Sequence, residues 1–204
     1  RGVTGPFRED QPLPPEFSTV RTGTPFDIIP HFEATLKRIM EALALDYGVP
    51  MATWDRAPKL SARPKAEPMQ SVVLRFPAQV GPLYTSMYNP IACLAHALVK
   101  KDASLLKDRA PRAFADISYA LDNGSAVARV TTAKKLPHRI YNVSSGIHVT
   151  ARETVEALYR VAPEARSVLK LEPEGLASTP SQEYLDISRI REDLGWSPKF
   201  PIDT

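Results

Sequence analysis

Apolar residues recur every three or four positions between residues 31 and 46, as they do along one face of an α-helix. The apolar members of this segment are Phe32, Leu36, Ile39, Met40 and Leu43. Charged residues fall between them, and Gly48-Val49-Pro50 ends the pattern. The spacing therefore predicts an amphipathic helix of about four turns over residues 31–46.

Two short apolar runs, residues 71–76 and 139–143, predict β-strands that are buried on both faces, as in a parallel sheet. Pro77 ends the first run, and Ser144-Ser145-Gly146 ends the second. Residues 168–171 predict a third, shorter strand.

Three further helices are predicted from the residues at their ends. The signals are Asn89-Pro90 at the start of one helix, the capping-box pair Thr150 and Glu153 at the start of the next, and Asp186 with Gly195 at the two ends of the last. Helices and strands alternate along the chain, so the sequence predicts the α/β class.

Composition narrows the possible functions. Of the 204 residues, 43% are apolar, which is enough for a packed core. The net charge is only +3 with mixed signs, so the chain lacks the basic stripe typical of nucleic-acid binding, and no nucleic-acid partner is expected. No run approaches the roughly 18 apolar residues of a membrane span, so no membrane partner is expected either.

Cys93 is the single cysteine, which excludes an internal disulfide framework and a multi-cysteine metal site. The four histidines, His31, His96, His138 and His148, lack the spacing of metal ligands, so no metal is expected. No glycine-rich phosphate loop and no Gly-x-Ser-x-Gly nucleophile motif is present. The residues alone therefore predict an α/β domain without naming its chemistry.

Five segments, in chain order, resemble motifs of the extended short-chain dehydrogenases, the NAD-dependent epimerase/dehydratase family. Residues 73–82 resemble the family's "LR…GP" strand and loop. The other four are Phe7-Arg8-Glu9-Asp10-Gln11-Pro12-Leu13, Tyr119-Ala120-Leu121-Asp122, Tyr141-Asn142-Val143-Ser144-Ser145-Gly146, and residues 186–198 with Leu194-Gly195-Trp196. Each motif is weak alone, but their shared order and spacing carry the resemblance.

The resemblance implies the C-terminal part of a doubly wound Rossmann-type parallel sheet with a small α/β substrate-binding region. Residues 1–88, with a contribution from residues 110–146, would form the C-terminal part of an NAD(P)-binding domain. Residues 89–204 would form mainly the substrate-binding region. The glycine-rich turn that opens family members has no counterpart in this sequence, so the first half of the nucleotide-binding domain is expected to be absent from it.

The resemblance further implies NAD or NADP as cofactor, and epimerisation, dehydration or reduction of a nucleotide sugar or related carbonyl compound through hydride transfer. The implied cofactor-facing residues are Phe76, Pro77, Ala78, Gln79 and Val80. The implied substrate-binding residues are Asn89, Arg112 and Asp122. Asn89 also fits a helix N-cap and Asp122 also fits a turn, so both roles stay open.

The implied assembly is a homodimer in which helix 31–46 pairs with its copy across a two-fold axis. A cytoplasmic location is expected, since a single cysteine fits a reducing compartment.

The catalytic pair of the family has no match in this chain. Family members use a tyrosine as acid/base and a lysine four residues later that lowers the tyrosine's pKa. None of the seven tyrosines has a lysine at that spacing, and an alignment without gaps places Ile29 and Glu33 at the two positions. Isoleucine has no proton to exchange. Two interpretations stay open: an enzyme of this family, or a catalytically inactive relative that acts as a binding or structural subunit.

Overall fold

The computed structural model describes residues 6–11, 28–47, 71–82, 90–106, 116–147, 150–172 and 184–200. Its helices are α1 (Ile28–Tyr47), α2 (Pro90–Lys100), α3 (Ala120–Thr131), α4 (Ala151–Val161), α5 (Ala165–Leu169) and α6 (Ser188–Leu194), with a 3-10 turn at Ala103–Leu106. Its strands are β1 (Val73–Arg75), β2 (Ala78–Val80), β3 (Ile117–Tyr119) and β4 (Ile140–Asn142).

The predicted α/β class with parallel strands is confirmed. β2 and β3 pair in parallel with Ala78 opposite Ile117 and Val80 opposite Tyr119, while β1 pairs with β4. β1 and β4 coincide with the two strands predicted from apolar runs. The strand β2 was not predicted, because Pro77 reads as the end of a strand rather than as a break between two.

The strand predicted for residues 168–171 is wrong. Residues Ala165–Leu169 form the short helix α5, which begins after Pro163 and ends where Lys170 adopts a left-handed backbone conformation with φ 50°. Ala165 and Leu169 are buried four residues apart, so they face the core on one side of a helical turn. Burial of both residues outweighs the β propensity of Val168.

The chain divides into two compact units, which are described separately. Unit 1 comprises residues 1–9, 74–136 and 142–204, and unit 2 comprises residues 10–73 and 137–141. This division follows packing. The predicted division into residues 1–88 and 89–204 concerns which residues bind cofactor and substrate, and it stays a prediction.

Unit 1 has its main hydrophobic cluster among three helices. The buried members come from α2, α4 and α5 and are Cys93, Leu94, Ala97, Val155, Tyr159, Ala165 and Leu169. The Tyr159 hydroxyl donates a hydrogen bond to the Leu171 carbonyl at 2.8 Å. Burial raises the pKa of Tyr159, so this phenol stays protonated and its polar atom stays satisfied within the cluster.

Unit 2 contains α1, whose C-terminal carbonyls are capped by Arg139. The Arg139 guanidinium donates to the carbonyls of Leu45 at 2.6 Å and Ala44 at 2.9 Å, and also to that of Ser71 at 3.0 Å. A cation at a helix C-terminus satisfies carbonyls that have no partner within the helix. The outer face of α1 exposes apolar side chains, namely Leu36, Ile39, Met40 and Leu43.

Candidate functional site

The predicted cofactor-facing residues lie between and along two strands of unit 1. Phe76 and Pro77 connect β1 to β2 and are half-buried, whereas Ala78 and Gln79 on β2 are exposed and Val80 is half-buried. The exposed pair gives this segment a surface that a ligand can reach.

Residues that follow β4 donate backbone hydrogen bonds to β1 and to β3. The Val143 amide donates to the Arg75 carbonyl at 2.9 Å, one residue before Phe76. The Ser145 amide donates to the carbonyl of Ile117 at 3.3 Å, and Ile117 is the register partner of Ala78. Residues 143–145 therefore fix where the candidate segment starts and where β2 runs.

A buried carboxylate holds this end of β4 in turn. The Ser144 hydroxyl donates to one oxygen of Asp116, and the Leu185 amide donates to the other at 2.8 Å. Asp116 and Ser144 are both buried, so these bonds form away from solvent. One side chain thus joins the start of β3, the turn after β4 and the segment before α6.

Glu9 and Asn142 form a second buried cluster beside the first. Glu9 Oε1 accepts from the Asn142 amide at 3.0 Å, and its other oxygen lies 3.6 Å from Arg189 Nε. The Asn142 side chain donates to the carbonyls of Phe7 at 2.7 Å and Asp186 at 3.1 Å. We call this set, Phe7, Glu9, Asn142, Asp186 and Arg189, the Glu9 cluster.

The Glu9 cluster brings together three of the five motifs that carried the family resemblance. The segment around Phe7, Asn142 and the segment around Asp186 are far apart in sequence and meet in unit 1. Phe7 also forms a parallel bridge with Leu185. Hydrogen bonds between these three segments therefore explain the residue types that the motifs contain.

Asp186 also stabilises the start of α6. Its carboxylate accepts from the Ser188 amide at 2.8 Å, but the N-cap of α6 is Ile187, which makes no side-chain cap, so the prediction of Asp186 as the N-cap is wrong by one residue. Burial raises the pKa of Asp186, but the hydrogen bonds from Ser188 and the charges of Arg8 and Arg191 outweigh it and hold the pKa below its ordinary value.

Asp122 has a structural role, but not the turn role that its sequence fitted, because it lies within helix α3. Its side chain is only 3% exposed, and its two oxygens accept from the amides of Lys199 at 2.8 Å and Phe200 at 3.1 Å. The carboxylate thus fastens residues 199–200 to the first turn of α3. A substrate contact of Asp122 stays a prediction.

The other predicted site residues are placed only in part. Ile29 and Glu33 lie four residues apart in the first two turns of α1. Asn89 and Arg112 lie outside the described residues.

Glu9, Asp116 and Asn142 were missed as cluster-forming residues. Each is a single polar residue next to an apolar segment, and its partner lies far away in sequence. The family motifs marked Glu9 and Asn142 as notable, whereas nothing in the sequence marked Asp116.

Among the described residues, no group of three or more histidine, cysteine, aspartate or glutamate side chains could hold a metal ion. No helix within the described ranges is both long enough and apolar enough to cross a membrane.

Comparison with known proteins adds a fold likeness. The sequence matches no protein-family model and no curated protein. RMD from Pseudomonas aeruginosa, solved in complex with NADPH, is 19% identical with a TM-score of 0.56, over 92% of this chain and 58% of its own. The dTDP-glucose 4,6-dehydratase of Bacillus anthracis, solved with NAD, is 19% identical with a TM-score of 0.56, over 100% of this chain and 54% of its own.

MoeE5, solved with UDP-glucuronic acid and NAD, is 17% identical with a TM-score of 0.56, and the match covers 99% of this chain and 57% of that protein. The chain thus spans little more than half the length of these structures. At this level of identity the likeness concerns the fold. The predicted fold, that of the C-terminal portion of an extended short-chain dehydrogenase with part of its Rossmann sheet, is confirmed.

Proposed function

We propose that this chain forms the C-terminal portion of a protein that binds NAD or NADP and acts on a nucleotide sugar or related carbonyl compound. The observation that carries the proposal is the Glu9 cluster, in which three family-like motifs meet around buried hydrogen bonds. The fold likeness to three structures solved with NAD or NADPH supports it.

In this proposal the segment Phe76–Val80 lies beside the nicotinamide ring. Backbone amides and carbonyls at the connection between β1 and β2 can meet a flat carboxamide, and Ala78 and Gln79 are exposed there. The cofactor supplies hydride transfer when it is bound. The chain's contribution is to hold this segment in place through residues 143–145.

The substrate side of the proposal rests on residues 89–204. Asn89, Arg112 and Asp122 would line or support the substrate pocket. Of these, Asp122 is placed in the first turn of α3, where it organises residues 199–200. We propose that it supports the pocket through that segment.

The proposed protein transfers hydride weakly or not at all, because Ile29 and Glu33 replace the proton-transferring pair. An isoleucine cannot exchange a proton, and a carboxylate would raise the pKa of a nearby phenol rather than lower it. This favours the second candidate function, a catalytically inactive relative that binds ligand or serves as a subunit.

The proposal includes a homodimer formed through helix 31–46. Met40 is 66% exposed and Leu43 is 62% exposed, so this face of α1 offers apolar surface to a second copy. It also includes a cytoplasmic location, which the single, buried Cys93 supports.

The test restores the missing pair in the full-length protein. We would measure dinucleotide binding by fluorescence and turnover on a panel of nucleotide sugars, for the wild type, the variant I29Y/E33K and the matched control I29F/E33K. The control differs from the test variant by one hydroxyl group.

We expect dinucleotide binding in all three proteins and a gain in turnover of at least about 100-fold only in I29Y/E33K, which is the usual contribution of a general acid/base. Absence of dinucleotide binding in the wild type would overturn the proposed function. Ordinary turnover by the wild type would overturn the inactive interpretation alone.

A further inference from the structure

A solvent-open cavity of about 470 Å³ lies in unit 1, where α3 and α6 both end. It is remote in sequence from the segment Phe76–Val80. The polar and charged residues that line it, together with one glycine, are Arg129, Thr132, Lys134, Lys135, Asp193 and Gly195. Its volume falls in the range of small-molecule sites, roughly 300–1,000 Å³.

The cavity carries an excess of positive charge. Arg129, Lys134 and Lys135 face a single acidic residue, Asp193. Neither lysine forms an ion pair with any of the described residues. Their ammonium groups are therefore available to an anion.

Arg129 is held in a defined orientation. Its Nε donates to the carbonyl of Leu194 at 2.6 Å, which caps the C-terminus of α6. A Cβ placed on Gly195 would lie 3.6 Å from Arg129 Nη2, an ordinary contact distance, so the backbone at Gly195 lies beside the guanidinium group. Within the described part of the chain, Arg129 donates its hydrogen bond to the Leu194 carbonyl through Nε. The two Nη atoms of Arg129 remain as donors for a ligand.

A structural explanation accounts for only part of this charge. The C-terminal ends of α3 and α6 present partial negative charges, of about half a unit each for a full-length helix, which cations offset. Arg129 already serves α6. The two lysines beside the end of α3 carry more positive charge than that helix end and Asp193 together offset. The cavity therefore has a net positive charge.

We propose that this cavity is an anion site that takes a phosphate group, as inorganic diphosphate or as the diphosphate of a nucleotide. The planar Arg129 fork suits paired phosphate oxygens, and Lys134 and Lys135 add point charges. The site is independent of the proposed cofactor segment and of the pair at Ile29 and Glu33.

The test titrates inorganic diphosphate, with sodium chloride at matched ionic strength as reference, into ¹⁵N-labelled protein followed by NMR. The variants are K134Q/K135Q, which removes two charges at the cavity, and K100Q/K101Q, which removes two adjacent exposed charges at the end of α2. Arg129 is left in place because it caps α6. A parallel titration with ADP separates free diphosphate from nucleotide.

We expect saturable shifts of the amides of Lys134, Lys135 and Gly195 in the wild type and in K100Q/K101Q. In K134Q/K135Q the affinity should fall by about tenfold or more, since two charge-assisted contacts are lost. Tighter binding of ADP than of diphosphate would assign the site to a nucleotide, and equal binding would assign it to free phosphate.

Shifts that do not saturate, or an equal loss in both lysine pairs, would overturn the proposal. If diphosphate shifts resonances around Phe76 and not at Gly195, the cavity assignment is wrong while the proposed function stands. Diphosphate binding at Gly195 without any dinucleotide binding would support the cavity assignment and overturn the proposed function.

Discussion

Gly81 and Ala120 lie so close together that a Cβ added to Gly81 would sit 2.6 Å from the Ala120 Cβ. This contact joins the residue after β2 to the first residue of α3. Real Cβ atoms do not approach so closely, so glycine is the residue that fits at position 81.

Replacing Gly81 by alanine should destabilise the protein by about 1–3 kcal/mol through overpacking. The variant A120G alone should cost up to about 1 kcal/mol, because glycine weakens a helix. In G81A/A120G the clash is removed, so the double variant should be more stable than G81A. Urea unfolding measures all four proteins, and a double variant less stable than G81A would show that the contact is not the cause.

The Glu9 cluster yields a second prediction. In E9A the buried Asn142 amide loses its acceptor, and we expect a loss of about 1–3 kcal/mol in the free energy of unfolding. E9Q keeps an acceptor oxygen and loses only the charge that faces Arg189, so its loss should be smaller. Equal losses in E9A and E9Q, measured by thermal melting, would instead assign the energy to the ion pair.

The capping box at the start of α4 yields a pH-dependent prediction. Thr150 Oγ1 accepts from the Glu153 amide at 3.0 Å, and the Thr150 amide donates to the Glu153 carboxylate at 2.8 Å. T150A should cost about 1 kcal/mol at neutral pH.

The hydrogen bond from the Thr150 amide, followed by that from its side chain, lowers the pKa of Glu153 below 4.5. A carboxyl group whose pKa is lower in the folded state stabilises the fold at pH values above its unfolded-state pKa. This stabilisation is lost as the pH falls through the folded-state pKa. E153Q should therefore lose less stability than the wild type between neutral pH and about pH 3, as measured by urea unfolding. Identical pH dependence in the two proteins would contradict this.

Lys101 gives a prediction in the stabilising direction. It has φ 52° and ends α2 in a Schellman motif, in which its own amide donates to Leu98 and the Asp102 amide donates to Ala97. K101G should stabilise the protein by about 0.5–1 kcal/mol, since glycine adopts this conformation without strain. The matched variant K100G changes the last residue of α2, which does not have a positive φ, and should destabilise by up to about 1 kcal/mol. A destabilised K101G in thermal melting would refute the strain argument.

The sequence correctly predicted those features of the fold that depend on residues close together in the chain. The Thr150–Glu153 box and the left-handed stop at Gly195 each depend on residues within one turn, and both are present. Helix α1 was predicted from its apolar spacing, which the structure leaves as an exposed stripe on its outer face.

Long-range partners could not be predicted in this way. Nothing near Asp116 in sequence indicates that it binds Ser144 and Leu185, because those partners are set by the packing of distant segments. The same holds for Asp122, whose turn-like sequence conceals its hydrogen bonds to residues 199–200. The helix α5 was mispredicted because burial of Ala165 and Leu169 is a property of the fold rather than of the segment.

The bridge between Phe7 and Leu185 has a consequence for biosynthesis. Its two residues lie far apart in sequence, so the ribosome must release the chain beyond Leu185 before they can meet. Until then the Asn142 side chain cannot donate to the Asp186 carbonyl, and Glu9 has no Arg189 beside it. We therefore expect this bridge to close late during folding of the nascent chain.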